Sequence, residues 1–144
     1  MADLTSVQRD TINENAAYHP MWRVVDSAGD IYQNADITSC KYDAVQINNG
    51  ADDTSLADDT ALSLSASDST PTTSQIGWYD TLQTGNGWDT AKDADGWNCI
   101  AYFPGTLFAT PGTVRIEVYV VLAGDSSSVR IATFELTVIE ASGA

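Results

Sequence analysis

Strict alternation of apolar and polar residues near the end of the chain limits what this sequence can fold into. In "TVRIEVYVVL" the alternating apolar positions are Val114, Ile116, Val118 and Val120. In "VRIATFELTVIE" they are Ala132, Phe134, Leu136 and Val138. This period belongs to a β-strand with one buried face. Because "AGDSSS" separates the two segments, the sequence predicts a β-hairpin, with Pro111-Gly112 as the turn before it.

Shorter segments of the same character precede the hairpin. Strands are predicted in "MWRVVDSAGDIY" and "DITSCKYDAVQI", and a short one around Leu62 and Leu64. In "GWNCIAYF" one predicted face carries Trp97, Cys99, Ala101 and Phe103. A sustained helical period is missing apart from a weak pattern in residues 3–14. About seven strands with turn residues between them predict an all-β protein, an antiparallel two-sheet sandwich with Ig-like or Greek-key connections.

The length and composition predict a single folded domain with an N-terminal extension. A chain of 144 residues, 43% of them hydrophobic, can bury a core without disulfides or metals. Residues 1–19 are polar and lack a strand pattern, so we expect an extended arm, followed by one sandwich domain over residues 20–144. An arm of this kind can order on a neighbouring subunit. Its candidate contact residues are Leu4, Val7, Ile12 and Tyr18.

The charge of the chain excludes several classes of partner. Six Lys and Arg residues stand against 20 Asp and Glu residues, which gives a net charge of −14. This charge repels nucleic acid and anionic lipid surfaces, so we expect neither as a partner. The start lacks the apolar core of a signal peptide, and no segment approaches the ~18 apolar residues of a membrane span. A saline habitat is an alternative explanation for the acidity.

The two cysteines and the single histidine are predicted to be structural. Cys40 and Cys99 each lie within an apolar segment, which favours buried thiols, with an inter-sheet disulfide as the alternative. His19 has no Cys, Asp or Glu within three residues, so it is interpreted as a linker residue that Pro20 holds extended.

The aspartate-rich segments are predicted to be solvated loops and turns. Residues 48–73 are predicted to form an exposed loop followed by the short strand around Leu62 and Leu64, with paired carboxylates at Asp52, Asp53, Asp58 and Asp59. Acid–base catalysis by such pairs needs a partly apolar cleft, which small polar neighbours do not supply. "DADGWN" (93–98) resembles half of a calcium loop but lacks the closing Glu, so an Asp-Gly turn is favoured.

Aromatic residues in the middle of the chain offer one alternative function. Trp78, Tyr79, Trp88 and Trp97 could form a platform on which a sugar stacks, and Trp78, Tyr79 and Trp88 would be the binding residues of a carbohydrate-binding module, although packing in the core or at its rim is favoured. No nucleophile–base pattern, phosphate loop or zinc motif occurs in the sequence. We therefore predict a protein that is not an enzyme, with no catalytic, cofactor-binding or metal-binding residues.

Four sequence features follow one another along the chain. They are the strand and turn of "VVDSAGDIY", a polar strand, an aromatic-rich middle, and Pro111-Gly112 before a terminal hairpin that ends in "TFELTVIEA". Over about residues 20–140, the pattern resembles sandwich domains of tailed-phage virions. Examples are the N-terminal domain of the baseplate upper protein and the base domains of head fibres.

The resemblance implies a structural virion protein that docks on a capsid or tail surface. It implies assembly in the host cytoplasm and, as partners, the major capsid protein or neighbouring virion subunits. A homo-oligomer is expected, with a trimer as one arrangement. The chain ends at Ala144 without a fibre part, which favours a capsid decoration (cement) protein. Attachment to the tail or baseplate is the alternative.

Overall fold

Eight β-strands form one sheet in the computed structural model, which describes residues 6–26, 28–48, 52–85, 87–124 and 127–140. In chain order the strands are β1 (Ser6–Asn13), β2 (Met21–Trp22), β3 (Ile37–Ile47), β4 (Thr54–Ala66), β5 (Gln75–Gln83), β6 (Trp97–Ala101), β7 (Gly112–Leu122) and β8 (Ser128–Ile139). Two 3₁₀ turns, Asn34–Asp36 and Gly105–Phe108, complete the regular structure of the described residues. No helix in those ranges is long and apolar enough to cross a membrane.

The strand order is β1-β8-β7-β3-β4-β5-β6-β2, and the sheet is mixed. Pairs β1/β8 and β4/β5 are parallel, whereas the remaining pairs are antiparallel. The all-β prediction is confirmed, but the strands lie in one sheet of eight rather than in two antiparallel sheets of about seven. Trp22 of β2 and Phe134 of β8 pack with ring centroids 5.3 Å apart, although their strands lie towards opposite ends of this order. The sheet therefore curls around its own core.

The terminal hairpin forms as predicted. β7 and β8 pair antiparallel, with Ile116 opposite Phe134 and Val114 opposite Leu136. All four of these side chains are fully buried. Thr133, predicted to face solvent, is also buried, close to an irregularity in the register between Val118 and Tyr119. The predicted strands β3 and β6 are confirmed as well, but Asn98, Cys99 and Ile100 of β6 are all buried, so the predicted alternation of faces in β6 is not observed.

Residues 6–13 belong to the sheet and do not form an arm outside it. Residues 6–13 are β1, which pairs in parallel with β8 from Ser6 opposite Ala132 to Asn13 opposite Ile139. The expectation that residues 1–19 lack strand structure is wrong for this part, as is the weak helical pattern. The inward positions of β1 include the polar residues Gln8 and Asp10, so the apolar alternation that indicates a strand is missing. The free edge of β8 supplies the hydrogen-bonding partners instead.

The segment predicted as an exposed loop contains most of β4. Thr54–Ala66 is strand, paired antiparallel with β3 and in parallel with β5. Only Leu62 of this strand is fully buried, so the polar composition reflects a solvated face rather than a loop. The register with β3 is irregular around Ala44, and Asp59 adopts a left-handed backbone with φ of 47°.

The two cysteines are buried thiols on strands that both contribute to the core. Cys40 lies on β3 and Cys99 on β6, and both are free, so the inter-sheet disulfide is not formed. Burial raises the pKa of Cys40 to about 12 and raises that of Cys99 well above its usual value. A thiol that stays protonated is a poor nucleophile, so these side chains act as small apolar residues here.

Candidate functional site

The two edge strands of the curled sheet, β1 and β2, face each other across a gap that we call the seam. Side chains bridge it at two points. The Gln8 amide Nε2 donates a hydrogen bond of 2.9 Å to the Met21 carbonyl oxygen, and the Tyr18 hydroxyl donates one of 2.5 Å to Asp10 Oδ2. Tyr18 is also held by a backbone bridge to Phe103. The seam is therefore closed by side chains rather than by a ladder of backbone hydrogen bonds.

A pocket of about 520 Å³ opens along the seam. Its apolar walls come from Tyr18, Met21 and Trp97, and its polar side chains include Gln8, Asp10 and Lys92. A volume in this range, with a few polar groups on an apolar wall, is typical of small-molecule sites. We call this cavity the seam pocket and treat it as the candidate functional site.

The indole of Trp97 is fixed at the edge of this pocket. Its Nε1 donates a hydrogen bond of 3.0 Å to the Asp89 carbonyl oxygen. The Arg23 guanidinium carbon lies 5.8 Å from the ring centroid, which places a cation on the indole. Arg23 in turn donates to the Gly96 carbonyl oxygen and to the Asp93 carboxylate. The ring is thus positioned before any ligand arrives.

The turn that leads into β6 explains how Arg23 is held. Asp93 Oδ1 accepts a hydrogen bond of 2.9 Å from the Asp95 backbone N–H, and Gly96 has a φ of 90°. The hydrogen bond from the Asp95 N–H lowers the pKa of Asp93, and the hydrogen bond and positive charge of Arg23 lower it further. The prediction of an Asp-Gly turn at residues 93–98 is confirmed. The Asp93 carboxylate that a half calcium loop would offer to an ion is paired with Arg23.

The buried contact between Tyr18 and Asp10 joins the seam to the core. Burial raises the pKa of Tyr18 far above its usual value, and the hydrogen bond to Asp10 and the charge of Asp10 raise it further. The phenol therefore stays protonated and remains a donor to Asp10. Lys92 Nζ lies 3.7 Å from Asp10 Oδ1, so the same carboxylate faces a cation on its other oxygen.

The predicted contact residues of the arm differ in their exposure to solvent. Leu4 lies outside the described residues. Val7 is 51% exposed, in agreement with an available apolar side chain. Ile12 is half-buried against the core of its own chain, and Tyr18 is buried with its ring against Phe108 and Phe134. Tyr18 is covered by the core of its own chain, and contact of the arm residues with a neighbouring subunit stays a prediction.

The predicted sugar platform is not assembled. Trp78 is fully buried, and its Nε1 donates a hydrogen bond of 2.8 Å to the Tyr32 carbonyl oxygen. Trp88 is 8% exposed and meets Tyr79 edge to face, with centroids 5.3 Å apart and planes at 88°. A sugar needs an open ring face, so this trio does not offer a stacking surface. Trp97, which alternation assigned to the core, is the half-exposed tryptophan.

His19 is one of the residues that line the seam pocket, whereas Asp52, Asp53, Asp58 and Asp59 are not. His19 is exposed and touches Tyr102, with centroids 4.3 Å apart. Asp43, Asp58 and Asp59 place carboxylate oxygens within 4.8 Å of one another. Asp43 Oδ1 accepts a hydrogen bond from the Asp59 N–H, and Asp59 pairs with Lys41 at 2.8 Å. This hydrogen bond to Asp59 raises the pKa of Lys41.

Replacing Asp52, Asp53, Asp58 and Asp59 together by asparagine should leave the melting temperature nearly unchanged in physiological salt. All four side chains are exposed, and exposed ion pairs contribute little. Asparagine also tolerates the left-handed backbone at Asp59. Thermal melts of both proteins, with and without calcium chloride, measure this. A large calcium-dependent rise in the melting temperature that the substitutions abolish would show instead that these residues hold a metal.

Comparisons with models of protein families, with curated proteins and with solved structures gave no match to this chain. The seam pocket and the surface of the sheet are therefore the features from which function is inferred.

Proposed function

We propose that this chain is a non-enzymatic structural protein of a tailed-phage virion, a capsid decoration protein that docks on the major capsid protein or on neighbouring virion subunits. The proposal rests on the sequence resemblance to virion sandwich domains and on one surface of the sheet. A net charge of −14 agrees with a protein on the outside of a particle whose interior holds DNA.

The observation that carries the proposal is the position of exposed apolar side chains. Among the described residues, the exposed large hydrophobic side chains are Val7, at 51%, and Ile139, at 44%. Val7 lies on β1, opposite Thr133 of β8, and Ile139 lies on β8, opposite Asn13. Alternate residues of a strand share a face, so Val7 and Ile139 point to the same side of the paired strands.

Between these two side chains lies an ion pair on the same face. Arg9 Nε is 3.3 Å from Glu135 Oε2, and both side chains are accessible to solvent. We call the surface formed by Val7, Arg9, Glu135 and Ile139 the outer face. Apolar side chains with charged groups between them are typical of a small docking surface, in which burial supplies affinity and charge fixes orientation. A neighbouring virion subunit is the proposed occupant, including a second copy in a homo-oligomer.

Replacing Val7 and Ile139 by aspartate should remove docking without unfolding the protein. We expect the double variant to bind particles at least about tenfold more weakly, because each charge would have to be buried in the contact. Ala61→Asp, an exposed change on β4, is the matched control. The assay adds each purified protein to heads and, separately, to tails of the phage that carries the gene, each prepared without this protein. Sedimentation then measures occupancy, and light scattering measures the oligomeric state.

Three results separate the possibilities. Loss of head binding in the double variant, with retention in Ala61→Asp, supports docking by the outer face. Wild-type occupancy of the double variant contradicts it. Binding of the unaltered protein to tails but not to heads would replace capsid decoration by tail or baseplate attachment.

A further inference from the structure

Both acidic and basic residues line the seam pocket. Asp10 and Asp89 contribute carboxylates, whereas Lys92 contributes a cation. The Asp89 carboxylate forms no hydrogen bond with any of the described residues. The Lys92 side chain is 62% exposed, and its 3.7 Å distance to Asp10 is longer than a hydrogen bond. Both groups can therefore turn to a ligand without breaking a strong internal contact.

An indole stands beside these polar groups. Trp97 lines the pocket, and its hydrogen bond to the Asp89 carbonyl oxygen fixes the orientation of the ring. The backbone N–H of Asp89 lies 3.3 Å from Met21 Sδ, which ties the loop that carries Asp89 to β2. A fixed aromatic ring next to a donor and an acceptor is suited to a ligand with an apolar face and a polar rim.

We propose that the seam pocket binds a neutral saccharide ring, packed against Trp97 and hydrogen-bonded by Asp89, Lys92 and Asp10. Each sugar hydroxyl both donates and accepts, so it can donate to the Asp89 carboxylate and accept from the Lys92 ammonium group. The axial C–H groups of the ring contact the indole. This site differs from Trp78, Tyr79 and Trp88, and the inference does not depend on the role of the chain in a virion.

The charges of the pocket disfavour ligands of other classes. An anion in the pocket would meet Asp10 and Asp89, and the net charge of −14 would oppose its approach. A cation would meet Lys92 at the same site. A neutral polyol experiences neither repulsion and satisfies groups of both signs.

The test is a titration with the methyl glycosides of glucose, galactose, mannose and N-acetylglucosamine, followed by the indole N–H signals in ¹H–¹⁵N NMR spectra. Glucuronate and N-acetyl-lysine methylamide are the anionic and cationic probes. We expect at least one neutral glycoside to shift the Trp97 indole signal, with a dissociation constant on the order of 1 mM. The buried Trp78 should shift little, which distinguishes binding at the seam from a general effect of the sugar.

Two substitutions of different kinds keep the test independent of folding. Trp97→Ala should weaken binding by about tenfold, whereas Trp97→Phe should retain most of it. Asp89→Asn removes the proposed acceptor charge without altering the backbone contacts, and should also weaken binding. Asp95→Asn, an exposed change in the neighbouring turn, is its matched control. The proposal is overturned if no neutral glycoside shifts Trp97, if either charged probe binds more tightly, or if Asp89→Asn and Asp95→Asn behave alike.

Discussion

Replacing Phe134 by alanine should lower the free energy of unfolding by about 3–5 kcal/mol, and the melting temperature by roughly 10–15 °C. The side chain is fully buried on β8. Its ring contacts Tyr18, Trp22 and Phe103, at centroid distances of 5.9, 5.3 and 6.0 Å. Tyr18 lies between β1 and β2, Trp22 lies on β2, and Phe103 follows β6. Truncation therefore leaves a cavity where the two ends of the curled sheet meet.

Chemical denaturation and thermal melts of the purified variant measure this effect. Ile139→Ala is the matched control, because Ile139 is an apolar residue at the end of the same strand but is 44% exposed. We expect Ile139→Ala to lower the free energy of unfolding by less than about 1 kcal/mol. Similar losses for the two variants would mean that Phe134 is not at the centre of the core, and would contradict the packing of β8 against β2.

The strands that the sequence predicts well are those whose burial is encoded locally. On β7 and β8, Val118 and Phe134 lie in an alternating series, and their burial requires no knowledge of any distant segment. The turn at Asp26 is also local, because its carboxylate Oδ1 accepts hydrogen bonds from the N–H groups of Ala28 and Asp30. Such features depend on residues within a few positions of one another, so the pattern alone identifies them.

The features that the sequence does not predict depend on pairing between distant segments. β1 has polar residues at inward positions, Gln8 and Asp10, because these side chains bridge the seam instead of filling the core. β4 has one fully buried residue, Leu62, so its alternation is weak. β1 pairs in parallel with β8, near the other end of the chain, and β4 pairs in parallel with β5, the next strand, in an arrangement that a tight hairpin turn cannot produce. Local periodicity carries no information about which edge such strands join.

Trp97 is among the aromatic residues that the sequence offers for stacking a sugar, but its position in the seam pocket is not predictable from the sequence, for a related reason. Trp97 alternates with Cys99 in sequence, which suggested a common buried face, but the start of β6 lies at the rim of the sheet where that face opens to solvent. Three further residues complete the pocket. Gln8 and Asp10 lie far from Trp97 along the chain, and Lys92 lies in a different turn. Gln8 and Asp10 reach this pocket only because β1 joins the sheet.

Deleting residues 2–13 should destabilise the protein, rather than merely release it from its particle. The deletion removes Ile12, which packs against the core, and Asp10, which accepts the hydrogen bond of the buried Tyr18 hydroxyl. A lost apolar contact and an unsatisfied buried donor together cost about 2–4 kcal/mol, which corresponds to a fall in melting temperature of ~10 °C. The edge of β8 also becomes free, so the truncated protein should self-associate more readily.

The measurement compares thermal melts and light scattering of the truncated and full-length proteins, and then adds a peptide of residues 6–13 to the truncated form. The peptide should raise the melting temperature, because it can pair in parallel with β8 in the register of Ser6 with Ala132. A peptide of the same composition in scrambled order is the control. Equal melting temperatures for truncated and full-length protein would show that β1 does not stabilise the sheet. Rescue by the scrambled peptide would show that the observed register carries no specificity. If the truncated protein melts earlier, is rescued by the native peptide alone and still occupies particles, then β1 is a structural strand and docking does not require Val7.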